Sequence, residues 1–123
     1  MKVLLSIKPP FVQKIFSGQK RWEYRRVIFK RPVHTVVVYA STPSRRIVGE
    51  FMIDAIITDT VDELWHRTGS ESGMSYDEFL AYFHGLERGY AIRIGPLTRY
   101  PTAVDPWVAD NRFHPPQSFR YVE

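Results

Sequence analysis

The sequence predicts an α+β fold, a small and partly closed β-barrel with short helices plugging one side, and three observations carry that expectation. About six short segments show the period-two alternation or β-branched apolar content of strands. Three other segments carry helical spacing together with start signals of their own. The 123 residues fit one domain, residues 1–123, long enough to bury a core and too short for a second one.

In chain order, VLLSI (3–7) reads as a short strand that Pro9 and Pro10 end, setting up a helix start because proline is tolerated in a first helical turn. Phe11, Val12, Ile15 and Phe16 form one apolar stripe, and Gly18 is placed to cap the helix. From Lys20 the period changes to two, with Trp22 and Tyr24 on one face and Arg21, Glu23 and Arg25 on the other, a strand with a charged outer face. HTVVVYAS (34–41) is a β-branched strand, STPS a turn around Pro43, and Arg46 to Asp59 a long strand with Gly49 as a bulge or close-approach point.

Thr60 with Glu63, and Ser75 with Glu78, have capping-box spacing for two further helices. Val61, Leu64 and Trp65 face inward in the first, where Glu63 and Arg67 are spaced to pair, and Tyr76, Phe79, Leu80 and Phe83 make one stripe in the second. GSESG joins them as a flexible loop. YAIRI (90–94) is another strand, Leu97 to Val104 extends or re-enters the sheet around Pro101, and SFRYV near the C-terminus is a last short strand after an irregular, proline-punctuated stretch.

A composition of 44% hydrophobic and 24% charged residues excludes disordered and fibrous classes. With no cysteine, disulfides and thiolate-bound metal sites are excluded as well. The apolar run before Lys8 is too short for a signal peptide or a membrane span, so a cytoplasmic location is expected. The charge is lopsided: residues 1–60 hold eleven Lys and Arg against four acids, whereas residues 61–123 hold six against nine. One basic flank on a small domain suits a polyanionic partner approaching from one side.

The densest signal is GQKRWEYRR (18–26), in which four cations, one carboxylate and two large aromatics share nine positions. GQKRWEYR reads as G-x-K-x-x-E-x-R and resembles the signature of ASCH domains, a branch of the PUA-like superfamily of small β-barrels. LLSIKPPFVQKIFSG, YASTPSRRIVGEF, ELWHRTGSESGMSYDEFLAYFHG with GYAI after it, and PPQSF extend the resemblance over nearly the whole chain. It implies a mostly antiparallel barrel whose cleft, lined by the Lys and Glu of the signature, faces RNA or a modified nucleotide. Branches of the family are credited with ribonuclease activity and with amide hydrolysis of an acetylated cytidine. The latter uses K-x-x-T with the threonine as nucleophile; here Glu23 stands at that position, which counts against transferring that mechanism.

Within this frame Lys20 is an ammonium at the cleft mouth, able to neutralise a phosphate or, once deprotonated, to act as a base. Glu23, the lone acid among six cations in residues 20–31, either pairs with Arg25 or Arg45, or accepts hydrogen bonds from a base edge or activates water. Arg25 is an orienting partner for Glu23 or a phosphate fork, with Arg26, Lys30 and Arg31 as an electrostatic collar. Trp22 and Tyr24 belong to the core or offer a stacking platform. Regular alternation sets Lys20 and Glu23 on opposite faces, a conflict that a bulge, or a strand beginning only after Lys20, would resolve. Ser41, Thr42 and Ser44 with Arg45 and Arg46 are a turn able to bind an anion. Glu50 is a second carboxylate candidate, and Ser118 in PPQS offers a hydroxyl.

The candidate catalytic set for a hydrolase is therefore Lys20, Glu23 and Glu50, and the candidate nucleic-acid or ligand-binding set adds Trp22, Arg25, Arg26, Ser41, Thr42, Arg45 and Ser118. No cofactor is implied. The four histidines, His34, His66, His84 and His114, lack metal-ligand spacing, and no metal is expected. The expected function is binding of RNA or a modified nucleotide in a basic cleft. The alternative is a small hydrolase acting on RNA or on a modified nucleoside.

Overall fold

The structure is a computed structural model and describes residues 1–122. Six strands form a single sheet: β1 (Lys2–Ile7), β2 (Trp22–Arg25), β3 (Thr35–Ala40), β4 (Arg46–Thr60), β5 (Arg88–Val104) and β6 (Phe119–Val122), in the order β2-β5-β4-β3-β1-β6. β1 runs parallel to β3, and every other neighbouring pair is antiparallel. Around it lie α1 (Pro9–Ser17), α2 (Val61–Thr68), a 3-10 turn (Gly69–Glu71), α3 (Tyr76–Tyr82) and α4 (Pro106–Ala109). None of these helices is long and apolar enough to cross a membrane.

The mixed α+β class is as the sequence reads, but the sheet does not close into the expected β-barrel. Its two edges, β2 and β6, are four residues long each and share no ladder. Arg25 Nη2 donates to the Ser118 carbonyl at 2.6 Å, so the edges meet through one side chain where a closed barrel would have paired backbone.

The strands follow local chemistry. Valines and isoleucines on β1, β3 and β5 pack with Val12 and Ile15 of α1 and with Phe29 and Phe51 in the main core. Leu64, Phe79 and Phe83 cover Tyr24 and Ala91 in a second cluster under α2 and α3. β5 is longer than the five residues of YAIRI because Pro96 and Pro101 fall where the β4–β5 register shifts, at Phe51↔Leu97 against Ile53↔Ile94 and at Ile47↔Val104 against Gly49↔Arg99. A bulge leaves a residue out of the ladder, so proline's missing N–H is tolerated there. At Gly49 a Cβ would lie 2.4 Å from the Thr98 carbonyl oxygen and 2.7 Å from Phe16 Cζ, so the close approach expected of this glycine is required by backbone.

Helix caps are largely as read. Ser75 and Glu78 form the full reciprocal box, whereas Thr60 caps α2 by accepting from the Glu63 N–H at 3.2 Å without the return bond. Arg67 pairs with Asp59 at 3.0 Å rather than with Glu63, because the end of β4 brings that carboxylate alongside. Tyr76 and Leu80, expected to face inward, are about 45% and 40% exposed, and the inward stripe of α3 narrows to Phe79 and Phe83. α4 sits within the stretch read as irregular; Asp105 caps it through the Trp107 N–H at 2.9 Å and Pro106 takes the first position.

Candidate functional site

β2 begins at Trp22, after Lys20, which removes the opposite-face conflict. Lys20 lies in the link between the C-terminus of α1 and β2, and its amide donates back to the Lys14 carbonyl at 2.9 Å. Three donors of this region then engage three consecutive carbonyls of the loop after α2. The Arg21 N–H bonds Glu71 O at 2.8 Å, Lys20 Nζ bonds Ser72 O at 2.8 Å, and Lys14 Nζ bonds Gly73 O at 2.8 Å. GSESG, expected to be flexible, is thereby fixed against the signature segment. Gly73 has φ +68 and leaves no room for a side chain, since a Cβ would stand 2.9 Å from Lys20 Cβ.

Lys20 is 1% exposed, so its placement at an open cleft mouth is corrected: it is a floor residue. Its ammonium stands 5.1 Å from the Phe11 ring centroid and 5.2 Å from that of Tyr24. Burial lowers its pKa from the ordinary lysine value, with the nearby Glu23 carboxylate opposing that shift and Lys14 adding to it. A buried lysine with aromatic walls, one carbonyl partner and a carboxylate neighbour can offer its remaining N–H donors to an anion or, on losing a proton, act as a base.

The charged face of β2 is buried rather than outward. Glu23 and Arg25 are 7% and 8% exposed, and Arg25 Nη1 stands 3.6 Å from Glu23 Oε2. Paired charges of this kind survive burial only with further polar partners, and Arg25 has one in Ser118 O. Arg25 Nε and Ser118 Oγ are buried without partners, leaving hydrogen-bonding capacity uncommitted where the edge strands meet. Tyr24, also buried, bonds Thr68 Oγ1 at 2.6 Å; Thr68 in turn donates to Leu64 O at 2.6 Å, so the phenol is the donor of the first bond.

Lys20, Glu23, Tyr24 and Arg25 line one cavity of about 410 Å³. Its other walls are Ser6, Ile7, Lys8 and Phe11 from β1 and α1, and Met74, Glu78, Ala81 and Tyr82 from the α2–α3 loop and α3. The volume is within the roughly 300–1,000 Å³ of small-ligand sites. Phe11, Glu78, Met74, Ser72 and Tyr82 are the participants that sequence reasoning missed. Phe11 and Glu78 already had a structural explanation as stripe and cap, and Tyr82 falls off the apolar stripe of α3, a signal that was available.

The remaining candidates lie elsewhere. Glu50 accepts from Tyr100 Oη at 2.8 Å and Lys2 Nζ at 3.2 Å and is not a wall of the cavity. Partial burial, with the bond to Glu50 and its charge adding to it, pushes the Tyr100 phenol up to about 12. Arg26 donates to Tyr82 O at 2.7 Å and His84 O at 3.0 Å, pinning the end of α3. Trp22 packs on the second core cluster under the Arg93 guanidinium, 5.2 Å from its ring centroid, and its Nε1 is buried without a partner. Ser41, Thr42 and Arg45 belong to the β3–β4 turn, where Arg45 has φ +54 and stacks 4.6 Å from the Trp107 ring centroid. Ser118 reaches the cavity only through Arg25.

Comparison with known proteins gives a consistent answer. The chain is 30% identical to an ASCH domain-containing ribonuclease of Zymomonas mobilis subsp. mobilis, over 98% of this chain and 84% of that protein. A crystal structure of ASCH from Zymomonas mobilis superposes with a TM-score of 0.91 at 27% identity, covering 99% of this chain and 87% of that one. The N-terminal domain of Staphylothermus marinus McrB shares the fold at a TM-score of 0.54 and 12% identity, over 91% and 80% of the two chains. The ASCH domain family profile matches residues 5–103. This chain belongs to the ASCH domain family.

Proposed function

We propose that the cavity over Lys20, Glu23 and Arg25 binds one nucleotide unit of RNA or a modified nucleotide, as an open-sheet member of the PUA-like superfamily. The observation that carries this reading is the convergence of a buried ammonium, a buried carboxylate–guanidinium pair and the aromatic side chains of Phe11, Tyr24 and Tyr82 on one 410 Å³ space. A base needs a face to stack on and a polar edge to pair with, and a phosphate needs cations. Glu23 accepts N–H donors from the base edge, Lys20 donates, and the aromatic walls exclude water. Titration of the protein with single-stranded RNA, mononucleotides and modified nucleosides tests it, with Lys20→Ala as the variant that must lose binding. Equal affinity in that variant would sink the assignment.

A second reading, hydrolysis of RNA, is favoured by the Glu23 carboxylate and the Lys20 ammonium lining one cavity, and by the relative named an ASCH domain-containing ribonuclease. Glu23 takes the proton of the attacking water as its oxygen bonds the phosphorus, the P–O bond to the leaving nucleoside breaks and its oxygen receives that proton back from Glu23, while Lys20, protonated, stabilises the charge that develops on the phosphate. Glu50 is held by Lys2 and Tyr100 outside the cavity and has no part in this scheme. Product analysis after incubation with RNA, with and without Mg²⁺, separates binding from turnover.

A further inference from the structure

Lys20 and Glu23 carry opposite charges into one cavity and yet do not pair. Lys20 Nζ is held by Ser72 O at 2.8 Å, Glu23 Oε2 stands 3.6 Å from Arg25 Nη1, and among the described residues no ion pair or hydrogen bond joins the two side chains. Of the charges acting on Lys20 that of Glu23 weighs most, so the two are neighbours. Each is engaged by its own partner while both border the cavity.

The Glu23 carboxylate is the less satisfied of the two. It is buried, its ion pair is longer than a hydrogen bond, and among the described residues it accepts no hydrogen bond. A carboxylate so buried ordinarily has donors on its oxygens. Lys20 has three N–H donors and spends one on Ser72 O. The cavity therefore offers a donor and, close to it, an acceptor with two oxygens. A phosphate suits only the donor, because Glu23 repels its charge. It is better placed beside Lys8, an exposed wall of the same cavity.

We infer that the cavity selects guanine, free or within RNA, by its Watson–Crick edge: the base carbonyl accepts from Lys20 Nζ while the ring N–H and the exocyclic amine donate to the two oxygens of Glu23. The inference rests on the nucleotide reading of the cavity and names the base. Guanine alone among the common RNA bases sets one carbonyl beside two N–H donors on that edge. Uracil sets a single N–H between two carbonyls, so its second carbonyl meets a carboxylate oxygen. Adenine and cytosine present a ring nitrogen acceptor where Glu23 needs a donor.

The test titrates the full chain with the monophosphates of guanosine, inosine, uridine, adenosine and cytidine, which differ only in the base. A second pair of probes is an oligoadenylate of about six nucleotides, within the ~4–16 nucleotide site sizes of single-strand binding folds, with and without one internal guanine. Guanosine monophosphate should bind about tenfold or more tighter than the adenosine and cytidine compounds, as expected of a bidentate base contact. Inosine monophosphate, which lacks the amine, should fall between. Glu23→Gln replaces one acceptor with a donor, so it should bring guanosine monophosphate down to the level of the others and raise cytidine and adenosine monophosphates relative to it. Preference for guanine in the RNA pair alone assigns the base within RNA; preference among the monophosphates assigns the free nucleotide as well. Equal affinity for every base in both probe sets overturns this inference and leaves nucleotide binding standing. Uniform weakening of all the monophosphates in Glu23→Gln overturns it too. If no probe binds, the nucleotide reading falls and this inference with it. Should Glu23→Gln fail to fold, as a circular dichroism melt would show, the ranking of the bases on the unsubstituted protein decides alone.

Discussion

Arg25 joins the two edges of the sheet, its Nη2 donating to Ser118 O at 2.6 Å while Nη1 stands 3.6 Å from Glu23 Oε2. One guanidinium therefore holds the C-terminal strand and orients the cavity carboxylate together. Lysine retains the charge but cannot present two donors in a fixed fork. Arg25→Lys should cost about 1–3 kcal/mol, since it strands a buried carbonyl or carboxylate, and should weaken ligand binding. A urea midpoint equal to that of the unsubstituted protein would overturn this role.

Lys20 gives a pH prediction. Burial lowers its pKa, so the cation persists only to a pH below that of an ordinary lysine. Anion binding that depends on it is complete below the lowered pKa and is lost as pH rises through it. The stability effect has the opposite sign. Between the lowered pKa and the ordinary 10.5 the unfolded chain binds the extra proton, so Lys20 makes stability rise with pH across that window. Melts and titrations of the protein beside Lys20→Met, from pH 7 upward, check both; identical profiles in the variant would refute the assignment.

Glu23→Gln separates the two functional readings. The amide keeps the shape and one acceptor while removing the base, so an RNA hydrolase should lose turnover by about 10²-fold or more with RNA still bound. A variant that cleaves at the original rate rules out Glu23 as the activating group.

Gly73→Ala should displace Lys20. The position combines φ +68 with a Cβ that would stand 2.9 Å from the Lys20 stem, and a residue other than glycine in the left-handed region costs about 1 kcal/mol. The loop must shift and take the Ser72 carbonyl with it. Ligand affinity should fall more than stability does; the reverse ranking would show that the loop is merely structural.

Local rules placed α1, the starts of α2 and α3, and most strands, because proline, glycine and capping residues act over a few neighbours. They failed where distant chain decides. Alternation on β2 reads as one wet face, yet α3 and the segment before β6 cover that face and bury Glu23 and Arg25. Whether six strands close or stay open depends on the edges, and nothing local in WEYR or FRYV says that they meet through a side chain. Lys20, Glu23 and Arg25 were legible as a group only through the resemblance to the ASCH signature, because regular alternation sets Lys20 and Glu23 on opposite faces. The carbonyl of Ser72, 52 residues away, was not, because a backbone acceptor leaves no mark in sequence. Asp105-Pro106 was a legible cap that the surrounding prolines obscured.

The segment from Val61 to Glu87 leaves the sheet at Thr60 and returns at Arg88, and those two residues are themselves a ladder pair. Its departure and return are thus stitched together independently of what lies between. That makes α2, the Glu71–Ser72–Gly73 carbonyls and α3 an exchangeable cassette. Grafting the corresponding segment of a relative would replace the Met74, Ala81 and Tyr82 wall and retune which ligand fits, provided the three carbonyls still meet Lys14, Lys20 and Arg21. Diversity in the cavity wall can accumulate in those 27 positions while β2, which carries Glu23 and Arg25, and the link before it, which carries Lys20, stay constant.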